Sequence, residues 1–331
     1  MKMSIDQIRV MTLEAFGRKG VSEVQSVPTT EALIQAEAQG MASHGISRVP
    51  MYLAHVAHHR VDPKAVPKVL RETASAVLID AANGFAFPAC AQAIDHAARK
   101  AKETGIAIGA VTNSHHFGVA GNHLLSMGQA GLVGFAFGNS PAAMPAWGGK
   151  RSVYGTNPIA AIFPRKNKSP VLIDLSLSEV ARGKIMVAAK QDKPIPLGWA
   201  LDAQGQPTTD AKAALAGMMM PMGGVKGAML AMTVELLVTT LTGAQYGAEA
   251  DSFFVDAGNQ PKLGQAFIGI NPDALAGRAV YEQRIESLLE FILQDDDVRV
   301  PGERRFALEQ KARAEGIELP DALVEQIRAI V

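Results

Sequence analysis

Histidine is confined to one stretch of this chain: all eight lie between His44 and His123, and several sit in short polar motifs. The first motif is Ser43-His44-Gly45-Ile46-Ser47-Arg48. The second is Asn113-Ser114-His115-His116-Phe117-Gly118, which follows an apolar run from Ile106 to Val111. Imidazole takes or gives a proton near neutral pH. Arginine makes two-pronged pairs with carboxylates, so it orients an acid as well as attracting it. One histidine at a strand end and another four residues before Arg48 therefore point to proton transfer on an anionic substrate. Spacing alone leaves the plainer alternatives open: Ser43 capping a helix beside a loop histidine, and His115 with His116 as structural hydrogen-bonding groups.

Other chemistries leave weaker traces. No Gly-x-Gly-x-x-Gly turn opens a helix after a strand, and neither Gly148-Gly149-Lys150 nor Gly223-Gly224-Val225-Lys226-Gly227 has that spacing or the spacing of a Walker loop. The second segment precedes an apolar helix, so its amides can meet an anion at the helix N-terminus with help from Lys226. An ordinary glycine turn fits the same residues. His55, His58 and His59 share one helical face by spacing, yet Arg60 and Pro63 read as a solvated helix end and no glutamate completes a metal set. Ser43 lacks a nucleophile elbow. No metal site is expected.

The bulk composition sets limits on the rest. The chain has 331 residues, 48% of them hydrophobic, enough for a large core and two lobes. Lys+Arg and Asp+Glu both number 32, so no basic surface tracks a phosphate backbone and no nucleic-acid partner is expected. A lone cysteine, Cys90, excludes an internal disulfide and Cys-rich metal sites. No uncharged apolar run approaches the roughly 20 residues of a membrane span, and nothing resembles a signal peptide. A soluble cytoplasmic protein with no membrane partner is the expectation.

These residues must be positioned by an α+β scaffold. Ser4 caps a helix over 5–19; Ser22 opens another, Thr29 or Thr30 caps a segment over 31–40, and Pro50 suits the first turn of a helix over 49–59. Strands are expected at 76–80, 106–111, 132–137, 159–163 and 171–175, with a helix at 89–104. Further helices are expected at 179–190, 228–242, 283–294, 303–315 and 320–331. Helices dominate both ends and strands the middle.

Taken together and in order, the motifs match a known family. Beyond the two histidine motifs they include Gly155-Thr156-Asn157-Pro158, Asp174-Leu175-Ser176, Ala181-Arg182-Gly183-Lys184-Ile185, Gly198 to Asp202, Pro221 to Gly227, Thr239 to Gly243 and Pro301-Gly302-Glu303-Arg304-Arg305. Over nearly its whole length the chain resembles the malate/L-lactate dehydrogenase family. That family also holds ureidoglycolate, sulfolactate and diketogulonate dehydrogenases and piperideine-2-carboxylate reductases, and is distinct from the Rossmann-type enzymes.

The resemblance implies a non-Rossmann NAD(P)-binding mixed-sheet domain at 76–285, a helical domain built from 1–75 and 286–331, and a homodimer. It implies hydride transfer between NAD or NADP and C2 of a small 2-hydroxy or 2-oxo acid. His116 and then His44 are the acid/base candidates, with Ser43 beside them. Arg48 would hold the substrate carboxylate, and Tyr52 would line the same pocket. Specificity is expected from Tyr52, Met51 and residues near Met144 and Trp147. Cofactor contacts are expected from His116, Phe117, Gly118, Val119, Ala120, Thr156, Asp174, Leu175, Ser176, Arg182, Gly183 and Lys184, with Gly224 and Lys226 at the helix terminus.

One departure bears on the substrate. The cyclic-imine reductase branch, similar here at Asn83-Gly84-Phe85-Ala86 and around His116, carries an aspartate that completes a Ser-His-Asp relay. Lys184 stands at that position. This moves the reading toward open-chain 2-hydroxy acids, with NADPH-dependent reduction of cyclic imino acids as the alternative.

Overall fold

The first helix opens on a hydrogen-bonded start signal. Ser4 and Gln7 exchange bonds in a capping box that starts helix α1 (Ile5–Arg18), with Ile8, Met11, Ala15 and Phe16 turned inward. Helix α2 (Glu23–Ala38) runs unbroken through Pro28, where two segments were expected. Thr29 starts no helix: its hydroxyl donates to the Gln25 carbonyl one turn back, at 2.6 Å. Helix α3 (Val49–Ala57) starts with Pro50 in its first turn, where the missing N–H costs nothing. These helices pack with the other end of the chain. Val21, Leu33, Ile46, Tyr52 and Phe85 share one core with Ala312, Ile317, Val324 and Ile327, and Lys2–Met3 pairs with Ile317–Glu318 as a two-stranded ribbon. This computed structural model describes residues 1–330; Val331, the last residue of the expected C-terminal helix, lies outside them, and that helix spans Asp321–Arg328.

Seven strands form the central sheet: β1 (Lys68–Glu72), β2 (Ala76–Asp80), β3 (Ile106–Ser114), β4 (Val133–Gly138), β5 (Ile159–Arg165), β6 (Lys168–Leu175) and β7 (Leu263–Ile270). Their spatial order is β1-β2-β3-β7-β4-β5-β6. Only the β2–β3 pair is parallel, and helix α4 (Ala86–Thr104) makes that crossover. Buried alanines at 89, 93, 97 and 101 let α4 lie close to the sheet. A Cβ on Gly109 would stand 2.1 Å from the Ala93 carbonyl oxygen, so this contact requires glycine. Alternation along β7 puts Phe267 against α4 and Ala266 into a second core beneath the helix Val225–Thr239. The sheet is therefore covered on both faces.

The edge strand β1, on the helical side of the expected boundary at residue 75, belongs to this sheet. The helix Arg278–Ile292 also packs on it: Leu289 meets Val171, and Arg165 grips Glu286 through two bonds of 2.7 and 2.9 Å. Among the described residues no helix is long and apolar enough to cross a membrane.

Candidate active site

Two single turns of 3-10 helix, Ala42–His44 and Ile46–Arg48, carry the first motif off the end of α2. Glu37 fixes the link by accepting the Ile46 N–H at 2.8 Å, and a Cβ at Gly45 would stand 2.2 Å from the same carboxylate oxygen. The second motif leaves the end of β3. Asn113 takes φ 51°, which asparagine tolerates better than most residues, and its side chain donates to Asp80 at 3.0 Å. The two turns converge: the rings of His44 and His116 stack with centroids 5.5 Å apart.

Each ring is held on one nitrogen. Ser43 Oγ lies 2.9 Å from His44 Nδ1, and Tyr52 Oη lies 2.7 Å from His116 Nδ1. Both imidazoles are only half-buried, so Nε2 of each is the nitrogen left for chemistry. Tyr52 is wholly enclosed, 0% exposed, and touches His116 through its hydroxyl. Burial, followed by the charge of Arg48, lowers His44 to about 4 and holds His116 well below the ordinary histidine range. Both rings are neutral at pH 7.

Arg48 is held by a 2.6 Å bond from Nε to the Ser43 carbonyl and by contact of Nη1 with the Met51 sulfur at 3.4 Å. Its guanidinium lies 5.8 Å from the ring of Phe254, as the guanidinium of Arg182 does at 5.2 Å. Phe254 belongs to a loop that sequence reasoning passed over. Its neighbour Phe253 packs on His115 at 5.0 Å and on His116 at 5.2 Å.

Arg60 secures that loop. Expected at a solvated helix end, it is fully buried and donates to the carbonyls of Asp251, Ser252, Val255 and Asn259. Five N–H donors in a rigid fork can satisfy a ring of carbonyls without a carboxylate, which is why burial is possible here. Arg60 also meets His55 at 3.2 Å, and His55 meets His115 at 3.0 Å. His55 is thus committed inward while His58 and His59 are exposed, so the three do not converge on one point.

The remaining candidates are dispersed around this centre. Phe117, Val119 and Ala120 are buried, and Gly118 takes φ 71° against the Phe87 ring. Asp174 accepts from the Gly121 N–H at 3.1 Å and from Arg305 at 2.7 Å, so its charge is already compensated. Thr156 is half-buried; Leu175, Ser176, Gly183 and Lys184 are exposed, and Ser176 bonds Ser178 at 2.7 Å. A network not expected from sequence lies just behind: buried Glu235 accepts from Asn157 at 2.7 Å, Asn139 at 3.1 Å and the Gly247 N–H at 2.7 Å. Met144 is buried, whereas Trp147 is 52% exposed and its ring would be 3.3 Å from a Cβ on Gly224.

Several of these groups suit a dinucleotide. The helix Val225–Thr239 begins after Gly224 at φ 70° with no side chain capping its amides, and Lys226 is exposed in its first turn. Both amide atoms of Asn122 are buried without a partner, beside the Gly121–Asp174 contact.

Comparison with known proteins agrees. The family model described as malate/L-lactate dehydrogenase matches residues 3–328. The chain is 45% identical over 328 residues to (2R)-3-sulfolactate dehydrogenase (NADP(+)) of Chromohalobacter salexigens, covering 99% of this chain and 97% of that one. It is 34% identical over 332 residues to Delta(1)-pyrroline-2-carboxylate reductase of Pseudomonas fluorescens, covering 99% and 98%. The crystal structure of delta1-piperideine-2-carboxylate reductase from Pseudomonas syringae superposes with a TM-score of 0.94 at 34% identity over the whole of both chains. Family match, fold and site together show that this chain belongs to the malate/L-lactate dehydrogenase family of NAD(P)-dependent oxidoreductases.

Proposed function

We propose that the protein interconverts a small 2-hydroxy acid and its 2-oxo acid, with His116 as the proton carrier, His44 as its stacked neighbour and Arg48 as the carboxylate clamp. The observation that carries this reading is the stacking of two neutral imidazoles beside an arginine that meets no carboxylate among the described residues. When bound, NAD or NADP supplies the hydride acceptor for oxidation and the hydride donor for reduction. Gly224, Lys226 and Asn122, with Thr156 and Ser176, would hold it, as the uncapped helix start and the unpartnered Asn122 amide support.

The proton is handled by the chain. In oxidation, Nδ1–H of His116 donates to Tyr52 and Nε2 takes the proton from the C2 hydroxyl. In reduction, an imidazolium formed here is a stronger acid than a free one and releases its proton to the C2 oxygen more readily. A carboxylate seated on Arg48 neutralises one of the charges that keep His116 unprotonated, so substrate binding itself favours formation of the acid. Arg48 fixes C2 by holding the carboxylate attached to it, and Phe253 shields one side of the His116 ring from water.

A second reading rests on the Ser43–His44 hydrogen bond, which is the first half of the relay associated with cyclic-imine reduction. Lys184 is exposed and supplies no carboxylate to complete it. Nicotinamide absorbance, followed with NADH and NADPH, separates the two readings. The panel holds oxaloacetate, pyruvate, 2-oxoglutarate, sulfopyruvate, diketogulonate, piperideine-2-carboxylate and pyrroline-2-carboxylate. Turnover of open-chain acids supports the first reading, and loss of turnover in His116→Ala with cofactor affinity kept identifies the carrier. Turnover of the cyclic imines alone supports the second.

The proposal extends to a homodimer located in the cytoplasm. Val225, Met229, Met232 and Leu236 are exposed at three- and four-residue spacing on one helix, the stripe by which a helix packs against a copy of itself. Cys90 is a free, buried thiol, as suits a reducing compartment. A helical unit from both chain ends and a sheet unit between them complete the reading, supported by the core that residues 3–61 share with Ala312 to Ile327.

A further inference from the structure

Residues 251–259 form a loop without helix or strand, yet it meets the histidines directly. Its Phe253 ring is buried and stands edge-on to His116 at 5.2 Å and against His115 at 5.0 Å. One guanidinium gives this loop its shape. Arg60, fully buried, donates to the carbonyls of Asp251 at 2.8 Å, Ser252 at 3.0 Å, Val255 at 2.5 Å and Asn259 at 3.1 Å. Asp251 and Asn259 close the neck: each backbone N–H donates to the other's side chain, at 3.0 and 2.7 Å. A planar cation with five donors thus supplies the interior that so short a loop cannot build for itself.

The anchor belongs to the helix that already orients His116. Helix α3 carries Tyr52, whose hydroxyl meets His116 Nδ1, and His55, which meets His115 at 3.0 Å and the Val255 carbonyl at 3.1 Å. Arg60 follows α3 through a left-handed residue, His59 at φ 57°, and its own N–H returns to the His55 carbonyl at 2.9 Å. Tyr52 and Phe253 therefore reach His116 from one rigid reference, the first directly and the second through Arg60. We propose that Arg60 is a positioning residue for the proton carrier, acting through loop 251–259 to seat Phe253 on the His116 ring and keep water from it. This rests on the reading of His116 as carrier. Burial is the main cause of the low pKa of His116, so loosening the loop should raise it. The other groups facing the ring are Arg48, His44, His115, His55 and the Tyr52 hydroxyl, and of these only His55 touches Arg60. The loop's acids, Asp251 and Asp256, act on Arg60 instead.

The test reads His116 before it reads turnover. Histidine-labelled full-length protein is titrated by NMR without substrate, His116 being the signal lost in H116Q. Two variants are compared: R60K, whose ammonium offers three donors and no plane, and F253L, which leaves Arg60 in place. In both, the His116 midpoint should move up toward 6.5. On whichever acid the wild type turns over, kcat should fall about tenfold to a hundredfold with a much smaller change in KM. In R60A, guanidinium added far below denaturing concentrations should restore kcat, and ammonium should not. A midpoint unmoved in both R60K and F253L overturns the proposal, whatever happens to stability. If R60K does not fold, F253L alone decides. A moved midpoint with unchanged kcat removes the positioning role and leaves His116 as carrier. Wild-type turnover in H116Q removes the carrier reading and this proposal with it.

Discussion

Tyr52 Oη lies 2.7 Å from His116 Nδ1, across 64 residues of sequence and on a side chain that solvent does not reach. That bond occupies Nδ1, fixes which way the ring points and, in the proposed mechanism, leaves Nε2 to the substrate. Tyr52→Phe keeps the packing and deletes the bond, leaving a buried nitrogen unpaired at a cost of about 1–3 kcal/mol. Turnover should fall by about tenfold or more, while the KM for cofactor moves little. Steady-state kinetics on the purified variant check this; wild-type turnover would detach Tyr52 from the mechanism.

Arg48→Lys keeps the charge and loses the fork. The proposed carboxylate clamp would work through paired N–H donors, which a single ammonium does not reproduce. The KM for a 2-oxo acid should rise about tenfold or more with a smaller change in kcat. An unaltered KM would show that Arg48 does not hold the acid.

Acid should destabilise this fold through its histidines. Burial, the leading cause in each case, lowers His44 and His55 to about 4 from an ordinary 6.5, and holds His115 and His116 well below 6.5. Between pH 4 and 6.5 the unfolded chain therefore binds protons that the folded chain refuses. Stability rises with pH through that window and is complete above it. Melting temperature should be flat above about pH 6.5 and fall steadily toward pH 4. Replacing buried His115 by Asn should make the decline shallower, and an identical slope would place the acid lability elsewhere.

Glu235→Ala tests the polar network behind the site. It strands the side-chain donors of Asn139 and Asn157 and the Gly247 N–H, all now bonded to one carboxylate. Losing a buried charged acceptor costs about 3 kcal/mol, to be read from denaturant unfolding. The Thr156 loop next to Asn157 should loosen with it, raising the KM for cofactor. A loss below about 1 kcal/mol would show that the network is solvated.

The sequence made some of this legible for clear reasons. The helix Glu303–Glu315 and the helix starts at Ser4 and Pro50 announce themselves because caps and periodicity are local signals. His44, Arg48 and His116 stood out because their chemistry is rare in an apolar chain. What stayed hidden is what tertiary contact creates. Strand β7 contains Gly264, Gln265 and Gly269, which suit a central strand only because neighbours come so close: a Cβ on Gly264 would sit 1.9 Å from the Val238 carbonyl. Arg60 looked solvated because the carbonyls that satisfy it lie about two hundred residues downstream. Phe253 and Phe254 acquire meaning only where that loop meets the histidines. Thr29 and Thr30 read as caps of a second segment, a reading that the continuous α2, packed against α1, overrides.

The place of β7 in the sheet also governs how the molecule is made. It separates β3 from β4 and bonds to both, yet it is the last of the seven strands to leave the ribosome. Until residue 270 has emerged, the nascent chain holds two half-sheets whose inner edges are hydrophobic and unpaired. Closure needs contacts between segments about 150 residues apart, which slows folding and leaves those edges free to pair with the wrong chain. Recombinant yield should therefore depend on translation speed and on chaperones that shield strand edges, even though the finished sheet leaves neither inner edge open.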